Sequence, residues 1–116
     1  MIISYFGEKI FFDEIKNTSQ IWVARSDLKN ILYLELDRDV ISLPIWSTYN
    51  RAQNYLDNAR PIGPKYNPDV VPVETFINSW LSDKMMGITE VLINPDGRNP
   101  RMLALYPDEF VTSRAS

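Results

Sequence analysis

The stretch Ile21–Leu36 reads IWVARSDLKNILYLEL, and it decides the class of the fold. Its two ends, Ile21–Arg25 and Ile31–Leu36, are rich in the branched and aromatic residues that favour β-strands. The polar segment between them, Ser26–Asn30, has the length of a hairpin loop. The stretch therefore predicts two neighbouring strands, and with them a β-sheet in the fold.

Three further segments have the composition of strands: Val40–Trp46, Thr89–Asn94 and Arg101–Tyr106. Pro44 has no N–H to give to a ladder, so its strand is predicted to lie at a sheet edge or to end near Leu43. An exposed edge at Val40–Leu43 would be open to pairing with another chain. The last two segments flank a loop in which Asp96-Gly97 is a turn signal.

Helical spacing of apolar residues is found in four segments, Phe6–Thr18, Thr48–Ala59, Val73–Met86 and Pro107–Val111. In the clearest of them, Val73–Met86, Gly87 is well suited to cap the carboxyl end. Residues 60–72 hold four prolines and are predicted to form an ordered loop laid over the domain. The tail, residues 112–116, is predicted to be frayed.

This order of elements predicts an α+β fold. We expect a single domain over residues 1–116, with a mostly antiparallel sheet of about five short strands and helices packed against it. A chain of 116 residues is long enough to bury a core without disulfides or metal.

The absence of histidine and cysteine limits what chemistry the chain can perform. Cysteine supplies thiolate nucleophiles and metal ligands, and histidine is the usual acid–base group near neutral pH. No phosphate-cradling loop, Ser-x-x-Lys motif or calcium-loop spacing replaces them. We therefore predict that the protein is not an enzyme and that it has no cofactor, no metal site and no catalytic residues.

Charge and hydropathy narrow the class of partner. The net charge is −3, from 15 acidic and 12 basic residues, and nucleic-acid binding would call for a basic excess instead. No window approaches the roughly 20 apolar residues of a membrane span, and the first residues do not resemble a signal peptide. We expect a cytoplasmic protein that binds neither nucleic acid nor membrane.

Several short motifs follow one another in order: QIWVA (Gln20–Ala24) after a helix, LPIWS (Leu43–Ser47) before a helix, ETFINSWL (Glu74–Leu81), and VLINPDG (Val91–Gly97). Together they resemble a family of small bacterial proteins known as domain-of-unknown-function family 2750, over about Phe6 to Val111. The NPDG strand end is also similar to the N-terminal domain of SseB-type proteins. Both resemblances imply an α+β topology, and neither supplies a catalytic residue.

Paired carboxylates and tryptophans are the remaining candidates for function. Asp37 with Asp39, and Asp108 with Glu109, are explained by a solvated turn and a favourable helix-dipole position. Trp22, Trp46 and Trp80 are expected in the core, with Trp46 the best exception because it ends a strand. The predicted partner-binding residues are acidic or aromatic side chains near loops: Asp37, Asp39, Trp46, Tyr49, Tyr55, Asp57, Tyr66, Asp69 and Asp96.

Two classes of function remain open. The first is a non-catalytic protein that binds another protein, in its most specific form an immunity protein that inhibits a basic bacterial toxin such as a nuclease. The second is a small-molecule-binding or carboxylate-based enzyme domain, which a deep pocket with a carboxylate beside Arg51, Arg60 or Arg101 would favour. An uncharacterised housekeeping role in bacteria is a third possibility.

Overall fold

The computed structural model describes residues 2–27, 29–59, 62–83, 87–99 and 102–115. These residues form four α-helices: α1 (Ile2–Thr18), α2 (Tyr49–Asn58), α3 (Val73–Thr75) and α4 (Pro107–Ala115). The strands are β1 (Gln20–Ser26), β2 (Leu34–Asp37), β3 (Val40–Ile45), β4 (Tyr66–Pro72), β5 (Glu90–Ile93) and β6 (Leu103–Leu105). A 3-10 turn, Gly63–Lys65, precedes β4, and a π-helical segment, Phe76–Leu81, continues α3.

The strands form two sheets, one with the order β2-β3-β5-β6 and one made of β1 and β4. The β3–β5 pair is parallel, and every other ladder is antiparallel. The four helices pack with these sheets in a unit whose Cα radius of gyration is 13.2 Å. The predicted α+β class is confirmed, and one parallel pair is added to the mostly antiparallel arrangement.

The predicted hairpin between β1 and β2 is reduced to a single bridge. Arg25 is bridged to Ile31, but β2 then pairs with β3 in the other sheet. The partner of β1 along its whole length is β4, from Gln20 opposite Pro72 to Ser26 opposite Tyr66. The sequence identified the strands correctly, but the hairpin-length loop did not determine their pairing.

One residue pair joins the two sheets. Trp22 of β1 and Trp46, directly after β3, exchange two backbone hydrogen bonds of 2.8 and 2.9 Å. β2 covers only the first half of β3. Past that point β1 takes the place of β2 on the same side, through the bridge between Trp22 and Trp46. The sheets are thus continuous at this point.

The prediction that Pro44 places its strand at an edge is wrong, because β3 lies between β2 and β5 and Pro44 is buried. Backbone groups of alternate residues in a strand point to opposite sides. Ile45 accepts a hydrogen bond from Asn94 on the β5 side, so Pro44 and Trp46 point to the other side. On that side the first residue of β2, Leu34, lies opposite Ser42, and Trp22 lies opposite Trp46, which leaves position 44 without a strand that would need its N–H.

The proline-rich segment is also more regular than predicted, because its second half is strand β4. Pro68 lies opposite Ala24 and Pro72 opposite Gln20. The backbone N–H and C=O groups of Trp22 and Ala24 point away from β4, where they bond to Trp46 and Leu32. Every second residue of β1, from Gln20 to Ala24, therefore forms a non-hydrogen-bonded pair with β4. A proline at such a position removes no hydrogen bond from the ladder.

Alternation along β1 divides the core into two clusters. Ile21 and Val23 face the larger one, which also contains Phe11, Phe76 and Phe110. Trp22 and Ala24 face the smaller cluster, in which α2 packs against β1 and β4. Its buried members are Ala24, Leu32, Trp46, Ala52, Tyr55 and Leu56.

The helix predicted at Val73–Met86 begins where expected, but its winding differs. Only α3 is α-helical, the following six residues are π-helical, and the segment ends at Ser82. Residues 84–86 lie outside the described residues, so the end predicted at Met86 falls there. Gly87 has a φ of +67°, in the region that glycine adopts without strain.

The carboxyl-terminal prediction is corrected as well. Residues 112–115 continue α4 and are not frayed. Ser113 donates a 3.1 Å hydrogen bond to Glu8 of α1, and Arg114 pairs with Glu74 of α3. Phe110 is fully buried among aromatic rings. Contacts on both sides of the helix therefore hold the last turns in place.

Candidate functional site

The carboxyl ends of the parallel strands β3 and β5 bring together a cluster of polar side chains, of which Ser47 is buried. Ser47 follows β3 and precedes helix α2, and Asn94 follows β5 directly. Ends of parallel strands beside a helix start are where open α/β sheets place their ligand sites. This end of the sheet is therefore a candidate ligand site.

Ser47 and Asn94 hold the two strand ends together. The Ser47 N–H donates to Asn94 Oδ1 at 2.9 Å, and Asn94 Nδ2 donates to Ser47 Oγ at 3.0 Å. Asn94 has a φ of 49°, a left-handed conformation that asparagine tolerates better than most residues. This conformation turns its amide back toward Ser47.

Helix α1 completes the cluster through Glu14. Its carboxylate accepts a hydrogen bond from Ser47 Oγ and two from Arg51 of α2, from Nε at 2.9 Å and from Nη2 at 3.2 Å. The guanidinium and the carboxylate thus meet through two parallel bonds, the strongest geometry for such a pair. Thr48 caps α2 by accepting from the Arg51 N–H at 3.2 Å.

The charge of Glu14 is stabilised by these donors. Burial alone raises the pKa of this carboxyl, but the hydrogen bonds from Arg51 and Ser47 and the positive charge of Arg51 together hold the pKa below the ordinary 4.5. A carboxylate with a lowered pKa is a poor proton acceptor at neutral pH. Ser47 is 1% exposed, so its hydroxyl is not accessible to a substrate. The cluster is suited to fastening three elements together.

Acid is expected to weaken the fold through Glu14. Because the pKa of Glu14 is lower in the folded state, its contribution is complete above the ordinary 4.5 and is lost as the pH falls through this value toward the folded pKa. Glu14→Gln keeps an acceptor for Ser47 without the charge. We expect its unfolding free energy to fall less than that of the wild type, by about 0.5–1 kcal/mol, between about pH 6 and about pH 3.

Urea unfolding at several pH values measures this difference. Glu35→Gln, which changes an exposed carboxylate of β2, is the matched control. An equal flattening of the pH profile in both variants would contradict the assignment to Glu14.

An open crevice lies on the outer side of the cluster. It has a volume of about 550 Å³ and is lined by Glu14, Thr48, Asn50, Arg51 and Asn54. All five are polar, and the two ionic ones neutralise one another. The crevice offers amide and hydroxyl groups to a ligand and no net charge.

The loop after β5 packs against the end of α2. Trp46 donates through Nε1 to the Pro95 carbonyl at 2.7 Å, and Asn58 donates to the Asp96 carbonyl at 2.9 Å. A Cβ on Gly97 would lie 2.9 Å from that of Asn58, and the φ of Gly97 is +80°. Only glycine fits this position. The motifs LPIWS and NPDG are therefore in direct contact.

Two of the motifs that carried the family resemblance thus meet at one end of the sheet, and a family profile matches the chain over residues 9–113. The chain belongs to the DUF2750 family. That family is described as a protein of unknown function. No curated protein matches the sequence.

Two of the predicted contact residues of this DUF2750 protein are core residues. Trp46 is 0% exposed and Tyr55 is 6% exposed, and their rings lie 5.2 Å apart. The indole of Trp46 has its N–H bonded within the protein. Neither side chain has enough exposed surface to contact a partner, so the prediction that they bind one is wrong.

The predicted acidic contacts lie apart from one another. Asp57 accepts from Gln53 and lies, with Asp96, where α2 meets the loop after β5. Asp39 lies in the turn between β2 and β3, at the other end of the sheet, with a φ of 61°. Asp37 ends β2, and its side chain lies outside the described part of the structure. Among the described side chains, Asp39 therefore lies apart from Asp57 and Asp96, and the three do not form one acidic site.

The remaining acidic candidates have roles within the fold. The Asp96 carboxylate accepts from the backbone N–H groups of Asn99 and Arg98, and these bonds hold its pKa below the ordinary 3.8. Asp69 pairs with Arg25 at 2.6 Å. Tyr66 is half-buried and packs on the smaller core cluster.

Among the predicted aromatic contact residues Trp46, Tyr49, Tyr55 and Tyr66, Tyr49 is the exposed one, and it does not stand alone. Its ring is 49% exposed and meets the Trp22 ring edge-on at 5.5 Å. Val70, 39% exposed, lies opposite Trp22 on the neighbouring strand and on the same face of the sheet. We call Trp22, Tyr49 and Val70 the aromatic patch.

Sequence reasoning missed two members of the aromatic patch. It placed Trp22 in the core and proposed Trp46 as the exception, whereas Trp46 is the buried one and Trp22 is partly exposed. The alternation along β1 sets the face on which Trp22 lies, but it does not indicate the neighbours on that face. That required the pairing with β4, which placed Val70 beside it.

The described residues contain neither a metal-ligand cluster nor a membrane-spanning helix. Over residues 2–27, 29–59, 62–83, 87–99 and 102–115, no group of three or more Asp or Glu side chains is arranged to hold a metal ion. In the same part of the chain, no helix combines the length and apolarity required to cross a bilayer.

Proposed function

We propose that this DUF2750 protein is a non-catalytic binding protein that contacts another protein through the aromatic patch. The observation that carries the proposal is the half-exposed ring of Tyr49 resting on the edge of Trp22. Tyrosine and tryptophan are enriched among the few residues that dominate interface energies. Here the two lie in contact on one surface, with Val70 beside them.

The aromatic patch is also held rigidly. Trp22 is fixed by two backbone hydrogen bonds to Trp46, and Tyr49 begins a helix that Thr48 caps. The Glu14–Arg51 pair ties the same turn of α2 to α1. A partner would therefore lose little free energy in ordering these side chains, which favours binding.

In its most specific form, the proposal is that the protein acts in the cytoplasm as an immunity protein against a basic toxin domain. A net charge of −3 and an isoelectric point near 4.8 favour the approach of a basic partner. Exposed carboxylates outside the patch, among them Asp39 and Asp57, would act on the rate of encounter more than on the strength of the complex.

Affinity purification from native bacteria tests the proposal. The wild type is expected to recover one stoichiometric basic protein, and Tyr49→Ala is expected to weaken that complex by about 30-fold. Tyr106→Ala is the matched control, because Tyr106 is also an exposed tyrosine, 62% accessible, but lies at the start of α4. Binding constants are measured by calorimetry with the recovered protein.

Two outcomes would contradict the proposal. One is recovery of no protein partner by the wild type, and the other is equal binding by the Tyr49→Ala and wild-type proteins. The immunity form has its own test, since the partner must be toxic when expressed alone and harmless when co-expressed with the wild type.

A second candidate function is favoured by the polar crevice, since a carboxylate lies there beside Arg51. In this alternative the protein binds a small neutral polar molecule between Asn50, Asn54 and the Glu14–Arg51 pair. A thermal-shift screen of polar metabolites would support it if a compound stabilises the wild type but not Asn54→Ala. Stabilisation of both proteins would place the compound elsewhere.

A further inference from the structure

We infer that the free edge of β4 is closed to strand addition by two prolines and by the Arg25–Asp69 pair, so that no other chain extends this sheet. An edge strand with unpaired N–H groups is a template for pairing, and β4 is the outer strand of its sheet. The inference does not depend on the proposed function. It assigns a role to Asp69, a residue predicted from sequence to contact a partner.

The register of β4 decides which of its N–H groups face outward. Residues opposite Trp22 and Ala24 belong to non-hydrogen-bonded pairs, because these two residues use their backbone groups on the other side of β1. Val70 and Pro68 are those opposite residues, and Pro72 has the same parity. Their backbone groups therefore point away from β1, toward the open edge.

Two of these outward positions have no donor, because Pro68 and Pro72 lack an N–H. The third donor is already used, since the Val70 N–H donates to Asp69 Oδ1 at 3.1 Å. Along β4 this leaves at most Tyr66, at the first position of the strand, with an outward N–H that is free to donate to another chain. The outward carbonyls of β4 still accept, but the carbonyls of an added strand opposite Pro68, Val70 and Pro72 would have no donor, and each such unpaired group costs free energy.

Arg25 keeps the Asp69 carboxylate in place for this task. Its Nε donates to Asp69 Oδ2 at 2.6 Å, while the other carboxylate oxygen accepts from Val70. The guanidinium is itself held by the Lys29 carbonyl at 3.3 Å and lies over the Trp80 ring at 6.0 Å.

Restoring the missing donors tests the inference. Pro68→Val/Pro72→Val with Asp69→Ala gives β4 three free outward N–H groups, and valine suits a strand. Each restored backbone hydrogen bond strengthens pairing by roughly fivefold, and each chain regains three donors, so we expect the dissociation constant of self-association to fall by at least about 100-fold. Sedimentation equilibrium measures it, with Pro64→Val in the 3-10 turn as the control.

A folded triple variant whose self-association equals that of the wild type would overturn the inference. So would a wild type that already dimerises through β4. Circular dichroism establishes that the variants are folded before they are compared.

A single substitution tests the same device without relying on the triple variant. Asp69→Ala is expected to speed hydrogen exchange of the Val70 amide by at least about fivefold, because it removes the acceptor of that N–H. Asp69→Asn, which keeps an acceptor oxygen, is expected to leave the rate close to that of the wild type. Unchanged exchange at Val70 in Asp69→Ala would contradict the assigned role.

Discussion

Replacement of Trp46 by alanine is expected to lower the free energy of unfolding by about 4 kcal/mol. Trp46 is the largest fully buried side chain of the described residues, and its removal leaves a cavity between the end of β3 and α2. It also leaves the Pro95 carbonyl without the 2.7 Å bond from the indole N–H. Because typical domains are stable by about 5–15 kcal/mol, this variant should be close to unfolding.

Urea unfolding followed by circular dichroism measures the loss. Tyr106→Ala is the control, and we expect it to change the unfolding free energy by less than about 0.5 kcal/mol because the ring is 62% exposed. Trp46→Phe should fall between the two, since it keeps an aromatic ring but not the N–H. A loss below about 1 kcal/mol in Trp46→Ala would contradict the burial assigned to this residue.

Replacement of Phe110 by alanine is expected to cost about 3 kcal/mol. The Phe110 ring lies 6.1 Å from Phe11, 5.3 Å from Phe12 and 5.4 Å from Phe76, and so it joins α4 to α1 and to the π-helical segment. Its loss removes both buried area and edge-to-face ring contacts. The variant should also release the last turns of α4.

Calorimetric unfolding measures the stability change, and amide exchange reports the release of α4. Val111→Ala changes the next residue on the same helix, which is 39% exposed, and should cost less than about 1 kcal/mol. Equal destabilisation by the two substitutions would mean that α4 contributes through its helix alone and not through Phe110.

The positions of most strands could be predicted from composition, but the pairing of the strands with one another could not. The branched and aromatic runs that predicted strands became β1, β3, β5 and β6 with shifts of only one or two residues. The pairing of β1 with β4 joins segments far apart in sequence, and no local pattern encodes it. A hairpin-length loop after β1 was therefore a misleading signal.

Proline was a misleading signal in both strands that contain it, because each strand accommodates it at a position where no N–H is needed. Density alone predicted a loop for residues 60–72, but Pro68 and Pro72 are an even number of residues apart and share one side of β4. This even spacing is the feature of the sequence that indicates a strand in which one edge lacks N–H donors. The environment of Pro44 depends on where β2 begins, which no local sequence pattern indicates.

The candidate site was predictable only in its parts. LPIWS and NPDG were recognised as motifs, yet Ser47 and Asn94 were assigned no partner because their contact arises from the parallel β3–β5 pair. Glu14 had no distinguishing signal, since it is one acidic residue on an amphipathic helix. Its role depends on the packing of α1 against the start of α2.

The long separation of β1 from β4 has a consequence for how the chain folds. These strands meet only after the intervening β2, β3 and α2 have been synthesised and brought into a closed loop. The entropy of that closure is lost before the ladder compensates for it, which slows folding relative to a protein of local contacts. During this delay only the inner edge of β4 is fully open, because Pro68 and Pro72 give the outer edge no donors, and this lowers the risk that nascent chains aggregate.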